Sequence, residues 1–211
     1  MKLYLIDIDG TLTKSQGVGR ESLEKTIYEL TGEEIHLSVE DVAGKTDLFI
    51  IKQILQRVSK PLSLEAVLEK YLALLQANMN QPVYLKGAHE LIQQILESGD
   101  VLGLLTGNVA EGAKTKLGED LFSQFQIYAT GDISEDRNDL IRYALDTFYE
   151  MFGTMPEKTI VIGDTPRDIE CARSVGAMAV AVATGPYPRH HLRDADIVLN
   201  DLTEFFRFTL V

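Results

Sequence analysis

The chain has 211 residues, with 20 Lys and Arg against 32 Asp and Glu, a formal net charge of −12. That excess disfavours contact with nucleic acid or an anionic membrane surface, because both polyanions are gripped through clustered cations. Apolar residues make up 45% and charged residues 25%, the balance of an ordinary globular chain with a sizeable core, and no stretch has the uninterrupted apolar length of a membrane helix.

The N-terminal residues reach Asp7 before any long apolar region develops, which is not the pattern of a signal peptide. A lone Cys171 cannot form an intramolecular disulfide and is ordinary in a reducing cytosol, where a small buried thiol on a helix serves as packing. A cytoplasmic location is expected. Any phosphate handled by so acidic a chain must be met by a local site.

The first apolar run is "LYLIDI", residues 3–8, which suits a strand buried on both faces. It carries Asp7 and Asp9 at its end, followed by Gly10. Alternation along a strand sends both carboxylates to one side and Ile8 to the other. Gly10 lets the backbone turn tightly and present amide groups to an anion.

Residues 15–82 have a different texture. Leu23, Ile27 and Leu30 repeat at helical spacing before Gly32; Leu48, Ile51, Leu55 and Val58 do so after Thr46 and Asp47, both plausible N-caps; Leu64 to Leu75 make a third helix after Ser63. No strand-like run interrupts them. This block is expected to be a small helical domain inserted after the first strand, with "QPVYLKG" as the return linker, while residues 1–14 and 83–211 form the core. The run from Val67 to Leu75 is packing.

From residue 88 onwards helical patterns alternate with apolar runs at 101–105, 159–163 and 177–182, with two weaker runs near "FQIYA" and "ADIVL". That alternation predicts right-handed crossovers and an α/β fold, a doubly wound parallel sheet. His190 and His191 follow "GPYPR" and fit a solvated loop better than a metal site.

Each apolar run ends in polar residues suited to one reaction, and in an open α/β sheet these collect in the crevice at the carboxyl ends of the strands. The first ends in Asp7 and Asp9, the second in Thr106, Gly107 and Asn108, the third in Gly163, Asp164 and then Asp168. Several carboxylates in one crevice need a cation. Hard oxygen donors without clustered His or Cys point to Mg²⁺, with Asp7 and Asp164 as candidate direct ligands and the backbone near Asp9 as a third. Two carboxylates whose environments separate their proton affinities can divide the work between nucleophile and acid–base.

"DIDGTLT" resembles the first motif of the haloacid dehalogenase-like hydrolase superfamily, "LLTGN" its second and "IGDTPRD" its fourth, in the family's order and over nearly the whole chain. The resemblance implies a Rossmann-like core with an inserted helical cap, Mg²⁺ as cofactor, Asp7 as the nucleophile that forms an aspartyl-phosphate, and Asp9 as general acid and then base. It implies that Thr106 hydrogen-bonds the phosphoryl group, that Asp164 binds the metal, and that Asp168 supports the metal or orients a cation. Asp7, Asp9, Asp164 and Asp168 together make the expected metal set.

The third motif departs from the family's usual Lys. "SEDRNDLIRYAL" offers Arg137 as the best-placed cation, since Arg142 falls inside the helix and Lys158 begins the next strand. Gly10, Thr11, Gly107 and Asn108 are expected to contact substrate, and so are Lys45 and Thr46 in "GKTD", which is equally readable as a turn before a helix N-cap.

Asp9 argues against dehalogenation. The phosphonatase branch would need a desolvated Lys45, of which the sequence gives no sign. The expected activity is hydrolysis of a small phosphorylated metabolite, phosphoglycolate phosphatase-like, by a monomer or homodimer that binds neither nucleic acid nor membrane. The alternatives are a sugar phosphomutase resembling β-phosphoglucomutase and, from another class, a phosphoacceptor signalling domain.

Overall fold

The computed structural model describes residues 1–14, 16–205 and 207, so the expected boundary at residue 15 and the end of the chain lie outside the described residues. Six parallel strands form one sheet: β1 (Leu3–Ile6), β2 (Val101–Leu105), β3 (Ile127–Ala129), β4 (Thr159–Gly163), β5 (Met178–Val182) and β6 (Ile197–Leu199). Their order is β3-β2-β1-β4-β5-β6, the doubly wound arrangement expected from the alternating pattern. The two weaker runs are the edge strands β3 and β6.

Side-chain alternation divides the core between the two faces of the sheet. Tyr4 and Ile6 of β1, Leu102 and Leu104 of β2 and Ile160 and Ile162 of β4 face α5 (Ala88–Glu97), α6 (Ala110–Leu117) and α7 (Glu119–Phe122). Leu3 and Leu5, Leu105 and Val161 face α8 (Arg137–Phe152) and α9 (Pro166–Ser174). Cys171 is buried on α9.

The first strand is shorter than its apolar run. Pairing with β2 ends at Ile6↔Leu104, after which Asp7 keeps one ladder-like bond, its N–H to the Ile162 carbonyl at 3.0 Å. Ile8 is nonetheless fully buried in the core. Asp7 and Asp9 therefore leave β1 on its crevice side, anchored by the residue between them.

Between β1 and α5 come α1 (Val18–Thr31), a short α2 (Val39–Val42), α3 (Asp47–Leu55) and α4 (Leu64–Asn78). They have their own hydrophobic cluster, in which Leu23, Ile27, Ile51, Val67, Tyr71 and Leu75 are buried. Thr46 caps α3 and Ser63 caps α4, each accepting from the N–H three residues on. Asp47 does not cap; it is the first residue of α3 and its carboxylate leaves the helix. The four-residue α2 has no counterpart in the sequence pattern, because one turn carries no periodicity.

This helical insert lies over the carboxyl ends of the strands. Its loop before α3 is pressed onto the core: a Cβ at Gly107 would come within 2.0 Å of the Lys45 carbonyl oxygen, so only glycine fits there. The Asp47 N–H donates to the Gly107 carbonyl at 2.7 Å, and the Thr46 hydroxyl donates to the Glu135 carbonyl at 3.0 Å.

Candidate active site

The carboxyl ends of β1, β2 and β4 are adjacent, and with the insert above them they enclose a cavity of about 360 Å³. Its walls include Asp7, Asp9, Thr106, Asn108, Arg137 and Asp164 from the core and Arg20, Lys45, Asp47 and Tyr71 from the insert. That volume suits a small ligand.

On one side of the cavity Asp7, Asp164 and Asp168, all buried, bring one carboxylate oxygen each within 4.8 Å of the others. Burial, and then the neighbouring carboxylates, push Asp7 and Asp164 well above the usual carboxylate range. Arg137 answers part of that charge. Its Nη2 donates to Asp7 Oδ1 at 2.9 Å, to Asp168 Oδ1 at 2.6 Å and to the Leu105 carbonyl at 3.0 Å. Burial works against the guanidinium, but Asp168 and Asp7 outweigh it and hold it charged.

The donor set fits a hard divalent cation. Among the described residues Asp164 Oδ2 is buried with no hydrogen-bond partner, an expensive state for a carboxylate oxygen. It sits in a cradle of backbone, since a Cβ on Gly10 or Gly185 would lie 2.3 or 1.6 Å from it. Gly10 also takes a left-handed turn, φ 83°, that a side chain would strain. Asp168 is differently placed: its Oδ2 accepts the Thr165 N–H and hydroxyl in the capping box of α9, and its Oδ1 accepts Arg137. All three carboxylates are grouped closely enough to hold an ion, and Asp168, with both its oxygens engaged, has the least capacity left for one.

Asp9 stands outside that cluster, with its side chain 28% exposed. Its Oδ2 accepts from Asn108 Nδ2 at 2.8 Å and from Lys116 Nζ at 2.7 Å. Lys116 also donates to Asn108 Oδ1 at 2.6 Å, and Asn108 Nδ2 donates to Thr106 Oγ1 at 2.8 Å. Thr106 Oγ1 accepts a second bond from the Asn108 N–H at 3.3 Å, so its own proton is available to the cavity. Asp47 accepts the Val109 N–H at 3.0 Å, and burial raises its carboxyl to about 6, with Lys116 opposing.

Of the residues singled out from sequence, Asp7, Asp9, Gly10, Thr106, Gly107, Asn108, Arg137, Asp164 and Lys45 line this cavity. Thr11 is buried behind it, its hydroxyl 3.4 Å from Asp164 Oδ1, and Thr46 is turned toward a neighbouring groove. Lys45 corrects the reading of an undisturbed lysine: partial burial, then nearby Arg167, lowers its ammonium's proton affinity. His190 and His191 are exposed on a single-turn helix, ring against ring.

Sequence reasoning missed Lys116, Asp47, Tyr71 and Arg20. "AKTKL" reads as the polar face of a helix, and Asp47 reads as a cap. For Lys116 the cue lies in the packing of α4 on α6, which no local pattern announces.

Residues 4–182 match the family model described as "Haloacid dehalogenase-like hydrolase". A phosphoglycolate phosphatase from Aquifex aeolicus is 27% identical over 205 residues, covering 95% of this chain and 92% of its own. A validoxylamine A 7'-phosphate phosphatase from Streptomyces hygroscopicus is also 27% identical, over 96% of this chain and 95% of its own. Among solved structures, CbbY from Rhodobacter sphaeroides in complex with phosphate superposes with a TM-score of 0.82 at 20% identity, covering 96% of this chain and 95% of that one. With the matched segment running from β1 through β5, the chain belongs to the haloacid dehalogenase-like hydrolase family.

Proposed function

We propose that the protein is a Mg²⁺-dependent phosphatase that hydrolyses a small phosphomonoester through a phosphorylated Asp7, with residues 15–82 acting as a cap over the site. The observation that carries this reading is the pairing of two unlike carboxylates on one crevice: Asp7 beside Arg137 and the unsatisfied Asp164 Oδ2, and Asp9 beside Lys116. Asp7 and Asp164 would hold the ion, which when bound supplies positive charge for the acidic cluster and the phosphoryl oxygens. Asp7 is the nucleophile. Asp9 gives a proton to the leaving oxygen and then takes one from the hydrolytic water. Thr106 donates its free hydroxyl proton to a phosphoryl oxygen, and Arg137 offers the rest of its fork to the same group.

The insert limits what enters. Gly107 admits the Lys45 carbonyl at its surface, and the enclosed volume leaves room for a small ester only. Lys45 and Arg20 face the cavity, and among the described residues the buried Arg20 Nε has no hydrogen-bond partner. Those cations favour a substrate with a second anionic group, such as the carboxylate of 2-phosphoglycolate, which agrees with the Aquifex relative's activity. A panel of phosphorylated metabolites assayed for phosphate release with Mg²⁺ tests the reading. Release from small anionic monoesters is expected, in a cytoplasmic extract as in vitro; no release from any of them overturns it, and bisphosphate-activated isomerisation without release indicates a mutase.

A further inference from the structure

Lys116 is left without a task by the roles given to Asp7, Asp9, Thr106 and Arg137. It stands in the last turn of α6, 9% exposed, and an ammonium that deep is costly unless its donors are met. Both acceptors it finds belong to the site: Asp9 Oδ2 at 2.7 Å and Asn108 Oδ1 at 2.6 Å. Asn108 closes the ring by donating to the same Asp9 Oδ2 at 2.8 Å. So one oxygen of Asp9 accepts two donors, one of them cationic, while among the described residues its Oδ1 has no hydrogen-bond partner and the side chain faces the cavity.

We propose that Lys116 is a positioning residue for the acid–base step: with Asn108 it locks the Asp9 carboxyl in one rotamer and reserves Oδ1 for the travelling proton. An oxygen already accepting from an ammonium and an amide has no room for a proton of its own, so protonation goes to Oδ1. In the transfer step, Asp7 forms the new bond to phosphorus and the bond from phosphorus to the leaving oxygen breaks. The electron pair goes to the leaving oxygen and the Oδ1 proton follows it. Asp9 is left as a carboxylate whose Oδ2 keeps both donors, so nothing needs to reorganise. The insert completes the clamp from above. A Cβ at Gly19 would stand 3.2 Å from Lys116 Nζ and 3.4 Å from the Tyr71 hydroxyl, so α1 and α4 cover the ammonium closely.

This inference rests on the reading of Asp9 as general acid, and two aryl esters of similar shape separate the two. Phenyl phosphate has a poor leaving group that needs a proton; 4-nitrophenyl phosphate has a good one that does not. For Lys116→Met with Mg²⁺, kcat/KM is expected to fall on the order of 100-fold with phenyl phosphate and less than about 10-fold with 4-nitrophenyl phosphate. Lys116→Arg should recover part of the phenyl phosphate loss. The ratio of the two losses is independent of how much of the variant folds. Equal losses with both esters, or no loss with either, would overturn the role of Lys116. Asp9→Asn is the control: if it shows no preference for damaging phenyl phosphate turnover, the reading of Asp9 itself has failed, whatever Lys116 does.

Discussion

Asp7 and Asp9 are separated by one residue, yet their surroundings are opposite in kind. Around Asp7 there is more negative charge than its neighbours balance: Arg137 is shared with Asp168, and Asp164 keeps a buried oxygen with no hydrogen-bond partner among the described residues. Around Asp9 the account is closed, since Lys116 and Asn108 satisfy one oxygen and leave the other to the cavity. In the proposed reaction the first neighbourhood receives a cation and an anionic ligand together, and the second handles a proton. Ile8, buried between them, makes the separation possible by turning the chain's intervening side chain into core.

The comparison breaks first if the two aspartates can be exchanged in role. Asp7→Asn is expected to lower kcat by roughly 10⁴-fold or more, as loss of a covalent nucleophile does, and Asp9→Asn by roughly 10²–10⁴-fold with poor leaving groups. Comparable activity of Asp7→Asn and wild type in a phosphate-release assay would dissolve the distinction.

Arg137→Met sharpens it next. Removing the partner of buried Asp7 and Asp168 leaves uncompensated charge, with an expected destabilisation of about 3–5 kcal/mol in chemical denaturation. Lys116→Met removes the partner of Asp9, whose side chain is 28% exposed against 10% for Asp7, and should cost less.

Added Mg²⁺ tests the open side alone. An ion that binds the folded state stabilises it by about 2.7 kcal/mol at 100 times its Kd, so the melting temperature should rise with Mg²⁺ in wild type. The rise should shrink in Asp164→Asn and persist in Lys116→Met.

The pH dependence concerns Asp47, whose carboxylate ties α3 to the Val109 N–H. Unfolded, the group ionises near 3.8; folded, burial delays that to about 6. Between those values the folded state binds more protons, so stability from this group is full below the lower value and falls as pH rises through the upper one, by at most about 3 kcal/mol. In metal-free protein Asp47→Asn should flatten the slope of stability against pH over that window. An unchanged slope would mean that the docked insert does not hold this carboxyl out of water.

The contrast also sorts what could be read from the chain. The strands were legible because each apolar run is short and ends in Gly, Thr or Asp, and the acidic side of the site was legible because those ends carry its residues. Arg137 could be chosen because it opens α8, where a side chain can reach the crevice. Lys116 could not, since it sits between Thr115 and Leu117 in a helix with other polar residues, and its burial depends on α4 packing over α6 from the insert. Asp47 looked like a cap for the same reason: the N–H it serves belongs to residue 109, far along the chain. The side of the site formed by Asp9, Asn108 and Lys116 is tertiary in origin.

In the proposed reaction Asp7 accepts the phosphoryl group while Asp9 governs its release. The direct measurement is acid-quenched peptide mass spectrometry of Asp9→Asn after mixing with Mg²⁺ and 4-nitrophenyl phosphate, an ester that transfers its phosphoryl group without help from an acid. A phosphate adduct on Asp7, accumulating because the second step is slow, is the predicted result. Phosphate bound at another residue, or 4-nitrophenol released with no adduct at any time point, would contradict it.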